Sequence, residues 1–284
     1  MKAKILIVGG AGNIGSGLID LLSQRQIEVK LATRRPQDCA IRDGVEPVYF
    51  DYDDPPSWGG ALEGVERVFM IPKVGDPFPD QTVMPFIDRA REAGVERIVF
   101  STAMGLDKDW RVLAVAEEHL MKGGSNYTIL RPGWFMQNFN PGYMLQSIRN
   151  GTIALPGSDD CKLSFIDTRD ISAVAAEALL TDGHFGKAYT LTGPRAYTWP
   201  QTAALLSKAC GHPVSYVNVS EKQAREALLA LGTIPYRVEQ MLQMMRAMRD
   251  GIYGEVTSSV KEVLGRDPIS LEQFIAENAH AWKA

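Results

Sequence analysis

Residues 4–22 constrain the fold more tightly than any other stretch of the chain. Lys4-Ile-Leu-Ile-Val8 reads as a short buried strand, Gly9-Gly-Ala-Gly12-Asn-Ile-Gly15 follows without a spacer, and Ser16-Gly-Leu-Ile-Asp-Leu-Leu22 takes up a helical apolar period. A strand, a glycine turn and a helix in that order form the context in which glycine spacing becomes a phosphate-binding motif. Gly9 is expected to allow the tight turn, Gly12 to let the backbone approach a pyrophosphate, and Gly15 to let helix and strand pack closely. The N–H groups of the first helical turn, at Asn13 and Ile14, then face the phosphates. A tight strand–helix turn without a ligand is the structural alternative. The motif favours a bound dinucleotide.

The end of the second strand selects which one. Ile27-Glu-Val-Lys-Leu31 leads into Ala32-Thr33-Arg34-Arg35-Pro36. An NAD site usually carries an acid here for the ribose hydroxyls, about 20 residues past the glycines. This stretch has none. Two guanidinium groups suit a 2′-phosphate, so Thr33, Arg34 and Arg35 point to NADP(H). A solvated basic turn is the alternative.

Strand and helix patterns alternate as far as Arg131, with further strands at 46–50, 66–71, 95–100 and 126–131. They predict a Rossmann-type doubly wound parallel α/β sheet. Residues 1–150 are expected to form the NADP(H)-binding domain, with a return strand near 187–192. Residues 151–284 are expected to form a smaller, mainly helical substrate domain. Ligands of such sheets lie beyond the carboxyl ends of the strands. Asp51, Ile71, Pro72, Lys73, Ser101 and Thr102 therefore join the cofactor candidates. Ser101 and Thr102 fall where the nicotinamide end is expected, although strand-end turn roles suit them equally.

Composition excludes several classes of function. A net charge of −4 gives no electrostatic reason to expect nucleic acid or an anionic membrane. Three scattered cysteines suggest neither a disulfide framework nor a zinc site, and four histidines lack metal-ligand spacing, so no metal is expected. No apolar run reaches the length of a membrane span, and no cleavable leader is expected before the first strand. A cytoplasmic monomer or homodimer acting on a small conjugated or aromatic molecule is the expectation. The methionine-rich segment 239–248 is expected to pack in a core rather than form a lid.

The glycine turn, Thr128-Ile-Leu-Arg-Pro-Gly-Trp-Phe-Met-Gln-Asn138 and Gly265-Arg-Asp-Pro-Ile-Ser-Leu-Glu-Gln-Phe274 together resemble NmrA-like atypical short-chain dehydrogenase/reductases. Leu191-Thr-Gly-Pro194 and Tyr253-Gly-Glu-Val-Thr257 support the resemblance. Bacterial triphenylmethane and quinone reductases and the clavine-forming reductases look nearest. The resemblance implies a Rossmann domain, NADPH, and a small C-terminal domain closing over a flat substrate. The same family includes proteins that bind NADP as redox sensors and catalyse nothing.

Typical short-chain dehydrogenases use a Tyr with a Lys four positions later; none of the nine tyrosines here has one. Ordinary alcohol–ketone interconversion is thereby disfavoured. An iminium, a quinone or a cationic dye accepts hydride with less help, and positioning then carries most of the catalysis. Ser101 and Tyr143 are the catalytic candidates. Met104, Trp110, Trp134, Phe135, Phe139 and Tyr143 are candidates for a flat substrate pocket, about half of them expected to be ordinary core. His119, Asn138 and Asp170 are expected to be structural. The expected function is an NADPH-dependent reductase of planar, electron-poor small molecules; the alternative is a non-catalytic NADP(H)-sensing regulator that binds a protein partner.

Overall fold

A computed structural model describes residues 4–73, 76–105, 111–124 and 126–283, with the backbone alone for 111 and 112. Two compact units divide the chain. The first holds residues 1–132, 168–190 and 263–265; the second holds 133–167, 191–262 and 266–284.

The first unit begins with β1 (Lys4–Val8), α1 (Asn13–Gln24), β2 (Glu28–Thr33) and β3 (Val45–Tyr49). It continues with α2 (Pro56–Leu62), β4 (Arg67–Met70), α3 (Val83–Glu92), β5 (Arg97–Ser101), α4 (Arg111–Lys122) and β6 (Tyr127–Pro132). α5 (Thr168–Leu180) and β7 (Lys187–Leu191) return to it later in the chain. The seven strands lie in the order β7-β6-β5-β4-β1-β2-β3. Those from β1 to β6 pair in parallel, with Val8 opposite Ala32 and Met70. This is the doubly wound sheet expected from the alternation.

Strands buried on both faces read as continuous apolar runs, and β1 meets that rule with Ile5, Leu6 and Ile7 fully buried. On one face Leu6, Val68, Phe86, Ile87 and Phe100 share a core with Phe50, Tyr52 and Trp58. The Phe50, Tyr52 and Trp58 rings meet Phe86 edge-on with centroids 5.0–5.7 Å apart. On the other face α1 packs against α5 through small residues: a Cβ on Gly17 would lie 2.9 Å from Ser172 Oγ.

The division at residues 132 and 133 differs from the boundary expected near 150. α5 and β7 account for the difference. The apolar face of α5, with Ile171, Val174, Ala175, Ala178 and Leu179 buried, covers the sheet of the first unit from a distant place in the sequence. The expected return strand at 187–192 is β7, on the sheet edge beside β6.

The second unit has its own aromatic core. Trp199 is fully buried, and Phe139, Phe165, Tyr216 and Trp134 surround it with centroids 5.8–6.5 Å away. The methionine-rich stripe belongs here. Met245 and Met248 are buried on the helix Pro235–Arg249, and Trp199 Nε1 donates to Met248 Sδ at 3.3 Å. Among the described residues, no helix is long and apolar enough to cross a membrane.

Candidate functional site

A groove of about 550 Å³ opens within the first unit at the carboxyl ends of β1, β2, β3 and β4. Gly9, Ala11 and Gly12 form one wall; Thr33, Arg34 and Arg35 lie at the end of β2, Phe50, Asp51 and Tyr52 at the end of β3, and Ile71, Pro72 and Lys73 beyond β4. Such a position outside the strand ends is where doubly wound sheets bind ligands.

The three glycines of the turn meet different steric surroundings. Gly9 sits at φ +91°, a left-handed conformation that suits glycine, and a Cβ there would fall 2.4 Å from the Ile71 side chain. Its carbonyl accepts the Gly12 N–H at 3.1 Å, closing the turn. Gly15 lies under the turn, where a Cβ would stand 2.4 Å from both Gly10 Cα and Gly9 O. A Cβ on Gly12 meets only Gly9 O, at 3.5 Å, an ordinary contact. Gly12 is therefore free of a packing demand, and its bare backbone faces the groove. It also caps α1 without a side-chain hydrogen bond, and no acid occupies the first turn. The N–H groups at Asn13 and Ile14 are left as donors for an anion.

The cationic wall is arranged unequally. Arg34 is exposed and has no ion pair among the described residues, whereas Arg35 lies 3.5 Å from Asp38 and donates its backbone N–H to Thr33 Oγ1 at 3.2 Å. Lys73 is ion-paired with Asp53. Asp51 is held in place: its N–H donates to Ser57 Oγ at 3.1 Å, its carbonyl accepts from Trp58 Nε1 at 2.8 Å, and its Oδ1 accepts the Asp53 N–H at 3.1 Å. The Tyr52 hydroxyl donates to the Ile71 carbonyl at 2.9 Å, joining the β3 and β4 ends across the groove floor. Burial raises this phenol well above its ordinary value, so it remains a neutral tether. Phe50 and Tyr52 were not among the cofactor candidates; their trace in the sequence is their position either side of Asp51 at a strand end.

The β5 and β6 ends carry a second arrangement. Ser101 is the last residue of β5, 2% exposed, and its hydroxyl has no partner among the described residues. Thr102 is half-buried. Its N–H donates to Leu130 O at 2.8 Å and its hydroxyl to Glu117 Oε1 at 2.5 Å. Glu117 is buried on α4 and receives the Arg131 fork, Nε at 2.9 Å and Nη2 at 2.5 Å on Oε2. This triad was also missed, although a lone acid on the inner face of a helix and a lone Arg ending a buried strand were its sequence trace.

The six substrate candidates separate by burial. Met104 in the first unit, 3% exposed, and Trp134 and Phe139 in the second, 4% and 0%, are core residues that leave almost no face for a ligand in this conformation. Trp134 packs edge-on against Trp199 and Tyr253, and Phe139 tilts against Phe165 at 5.2 Å. Burial moves these three from pocket lining to core. Phe135 is half-buried and Tyr143 is 52% exposed, so both keep accessible surface. Desolvation by nearby protein raises the Tyr143 phenol above its ordinary value. Trp110 lies outside the described residues. His119 makes a 2.7 Å contact with Asp88 at the surface, in keeping with a structural role.

A parallel sheet with a glycine turn between β1 and α1 and a groove across four strand ends is the architecture of Rossmann-type dinucleotide-binding proteins. The chain belongs to the NmrA-like family, whose profile matches residues 1–281. It is 33% identical to an NAD(P)H azoreductase of Xenophilus azovorans over 99% of each chain. It is 31% identical to the uncharacterized oxidoreductase YesF of Bacillus subtilis, over 98% of this chain and 96% of that one. An Escherichia coli NADPH-dependent quinone oxidoreductase solved with NADPH is 25% identical and superposes with a TM-score of 0.84, covering 96% of this chain and 99% of that one.

Proposed function

We propose that this chain transfers hydride from NADPH to a planar, electron-poor small molecule such as an iminium, a quinone or a cationic dye. Its coarser assignment, an NAD(P)H-dependent oxidoreductase of the NmrA-like type, rests on family membership and on relatives named as oxidoreductases. The observation that carries the finer proposal is the groove, in which the bare phosphate turn faces cationic side chains rather than an acid at the end of β2. Its residues fit a phosphorylated dinucleotide. The turn and the α1 N-terminus would hold the pyrophosphate, and Arg34, aided by Arg35 and Thr33, would hold a 2′-phosphate. When bound there, the cofactor supplies the hydride.

The acceptor class follows from what the chain lacks and what it buries. No Tyr–Lys pair is available for delivering a proton to a carbonyl oxygen. Tyr52 is engaged as a tether, and the Ser101 hydroxyl is nearly enclosed. An acceptor that is already electron-poor needs orientation more than acid catalysis, and Phe135 and Tyr143 are the candidates for contacting it. The test is NADPH oxidation against a panel of quinones, iminium compounds and cationic dyes, with deuterated NADPH to follow the hydride. Turnover of at least one class with deuterium in the product is expected. Tight NADPH binding with no turnover across the panel would overturn the proposal in favour of an NADP(H)-sensing regulator.

A further inference from the structure

We infer that Thr102 is a one-way hydrogen-bond acceptor for the carboxamide NH₂ of the nicotinamide, and that the buried Glu117–Arg131 pair, acting through it, is the device that fixes this polarity.

A threonine hydroxyl has one hydrogen to give and two lone pairs to offer. In this chain two acceptors compete for that hydrogen: Glu117 Oε1 at 2.5 Å and Leu130 O at 3.3 Å. The nearer one is a carboxylate, and O–H donation to a carboxylate at such a distance is of the strong, charge-assisted kind. The hydrogen is committed there. What remains for a ligand at the β5 end is lone-pair density, so Thr102 can receive a donor and cannot supply one.

Glu117 is locked in its turn. Arg131 reaches it from the end of β6 with Nε at 2.9 Å and Nη2 at 2.5 Å on Oε2; Nε lies farther from Oε1, at 3.2 Å, so the 2.5 Å Thr102 hydroxyl is the nearest donor to Oε1. The carboxylate side chain is 3% exposed. A buried charge held by a planar fork and a hydroxyl has little freedom to reorient. The backbone fixes the same spot, because the Thr102 N–H continues the β5–β6 ladder to Leu130 O at 2.8 Å and the Met104 N–H reaches Pro132 O at 2.9 Å. The hydroxyl is thus fixed in place and in polarity at a strand end beside the phosphate strand's neighbour, β4, where a doubly wound sheet receives the reactive end of a dinucleotide. Ser101 differs in each respect, with a nearly enclosed hydroxyl that no carboxylate among the described residues orients.

The inference rests on the dinucleotide assignment, and its test separates the two. The 3-acetylpyridine analogue of NADP⁺ carries a methyl ketone in place of the carboxamide; it keeps the acceptor oxygen and loses the NH₂ donor. Dissociation constants for NADP⁺ and for this analogue are measured by calorimetry on the wild type, Thr102→Ser, Thr102→Val and Glu117→Gln. Wild type and Thr102→Ser are expected to favour NADP⁺ by about five- to ten-fold, the worth of one neutral hydrogen bond. Thr102→Val, close in shape and leaving Glu117 still paired with Arg131, should bring that ratio near one with the analogue's affinity little changed. Glu117→Gln offers an amide N–H to the Thr102 oxygen and frees the hydroxyl hydrogen, so the ratio should shrink or invert. A Thr102→Val protein that binds NADP⁺ and keeps the wild-type ratio overturns the inference alone. A wild type that binds neither nucleotide overturns the dinucleotide assignment with it.

Discussion

Arg34 and Arg35 are adjacent in sequence and unequal in the folded chain. Arg35 faces Asp38 and is 78% exposed, so its contribution to an anion is partly spent on its neighbour and screened by water. Arg34 lines the groove with no ion pair among the described residues. A charge-assisted contact of this kind contributes roughly 1.5–3 kcal/mol before screening. Arg34→Ala should therefore weaken NADPH by about ten-fold while leaving NADH nearly unchanged, and Arg35→Ala should do less. Titration of both variants with both cofactors decides it, and equal losses for NADPH and NADH would remove the 2′-phosphate assignment. The hydroxyls make a second test at this scale. Desolvation raises the Tyr143 phenol above its ordinary value of 10, so it stays protonated through neutral pH and adds no alkaline limb near that value. A positioned general acid is worth about 10²–10⁴-fold. Tyr143→Phe and Ser101→Ala should each cost less than that in turnover on whichever acceptor proves active. A thousand-fold fall with NADPH affinity intact would reveal either residue as a proton donor.

At the scale of elements, the glycine turn between β1 and α1 was legible from sequence because each glycine answers a different steric demand. The chain order of strand, turn and helix fixed where those demands fall. The same logic separates two substitutions that sequence spacing treats alike. Gly15→Ala drives a Cβ into the backbone of residues 9 and 10 at 2.4 Å, so the turn must shift; overpacking of this kind costs roughly 1–3 kcal/mol. Gly12→Ala meets only an ordinary 3.5 Å contact, and its φ of −86° accepts any residue. Denaturant midpoints should fall for Gly15→Ala and hold for Gly12→Ala, while NADPH affinity falls in both. A stable Gly12→Ala protein with wild-type affinity would place the pyrophosphate away from this turn. What the pattern did not yield was the contact between elements far apart in the chain. Glu117 on α4 and Arg131 on β6 each look like an isolated charge until the fold brings them within 2.5 Å, and the Tyr52 tether needs β3 beside the β4 exit. Periodicity reports which face a residue takes, and it is silent on what stands opposite.

For the whole molecule, the parallel sheet was readable because strands covered on both faces are written as apolar runs with helices between them. The boundary near 150 was not, since α5 and β7 rejoin the first unit after 35 residues assigned to the second. Such a return depends on shape matching, here Gly17 against Ser172, and leaves no composition change to detect. The aromatic residues after β6 show the same limit. Their types suit a flat pocket and a core equally, and the fold assigns Trp134 and Phe139 to the core. Trp134 fills the space between Trp199 and Tyr253, with centroids at 6.1 and 6.0 Å. Trp134→Ala should therefore act on stability, at roughly 3–5 kcal/mol for a buried large-to-small change, and Trp134→Phe should recover part of that loss. Denaturant unfolding measures both, and KM for the active acceptor, determined on whatever fraction remains folded, should stay within about two-fold of wild type because an enclosed indole removes no substrate contact. A Trp134→Ala protein with wild-type stability and a ten-fold higher KM would instead put the indole against the substrate.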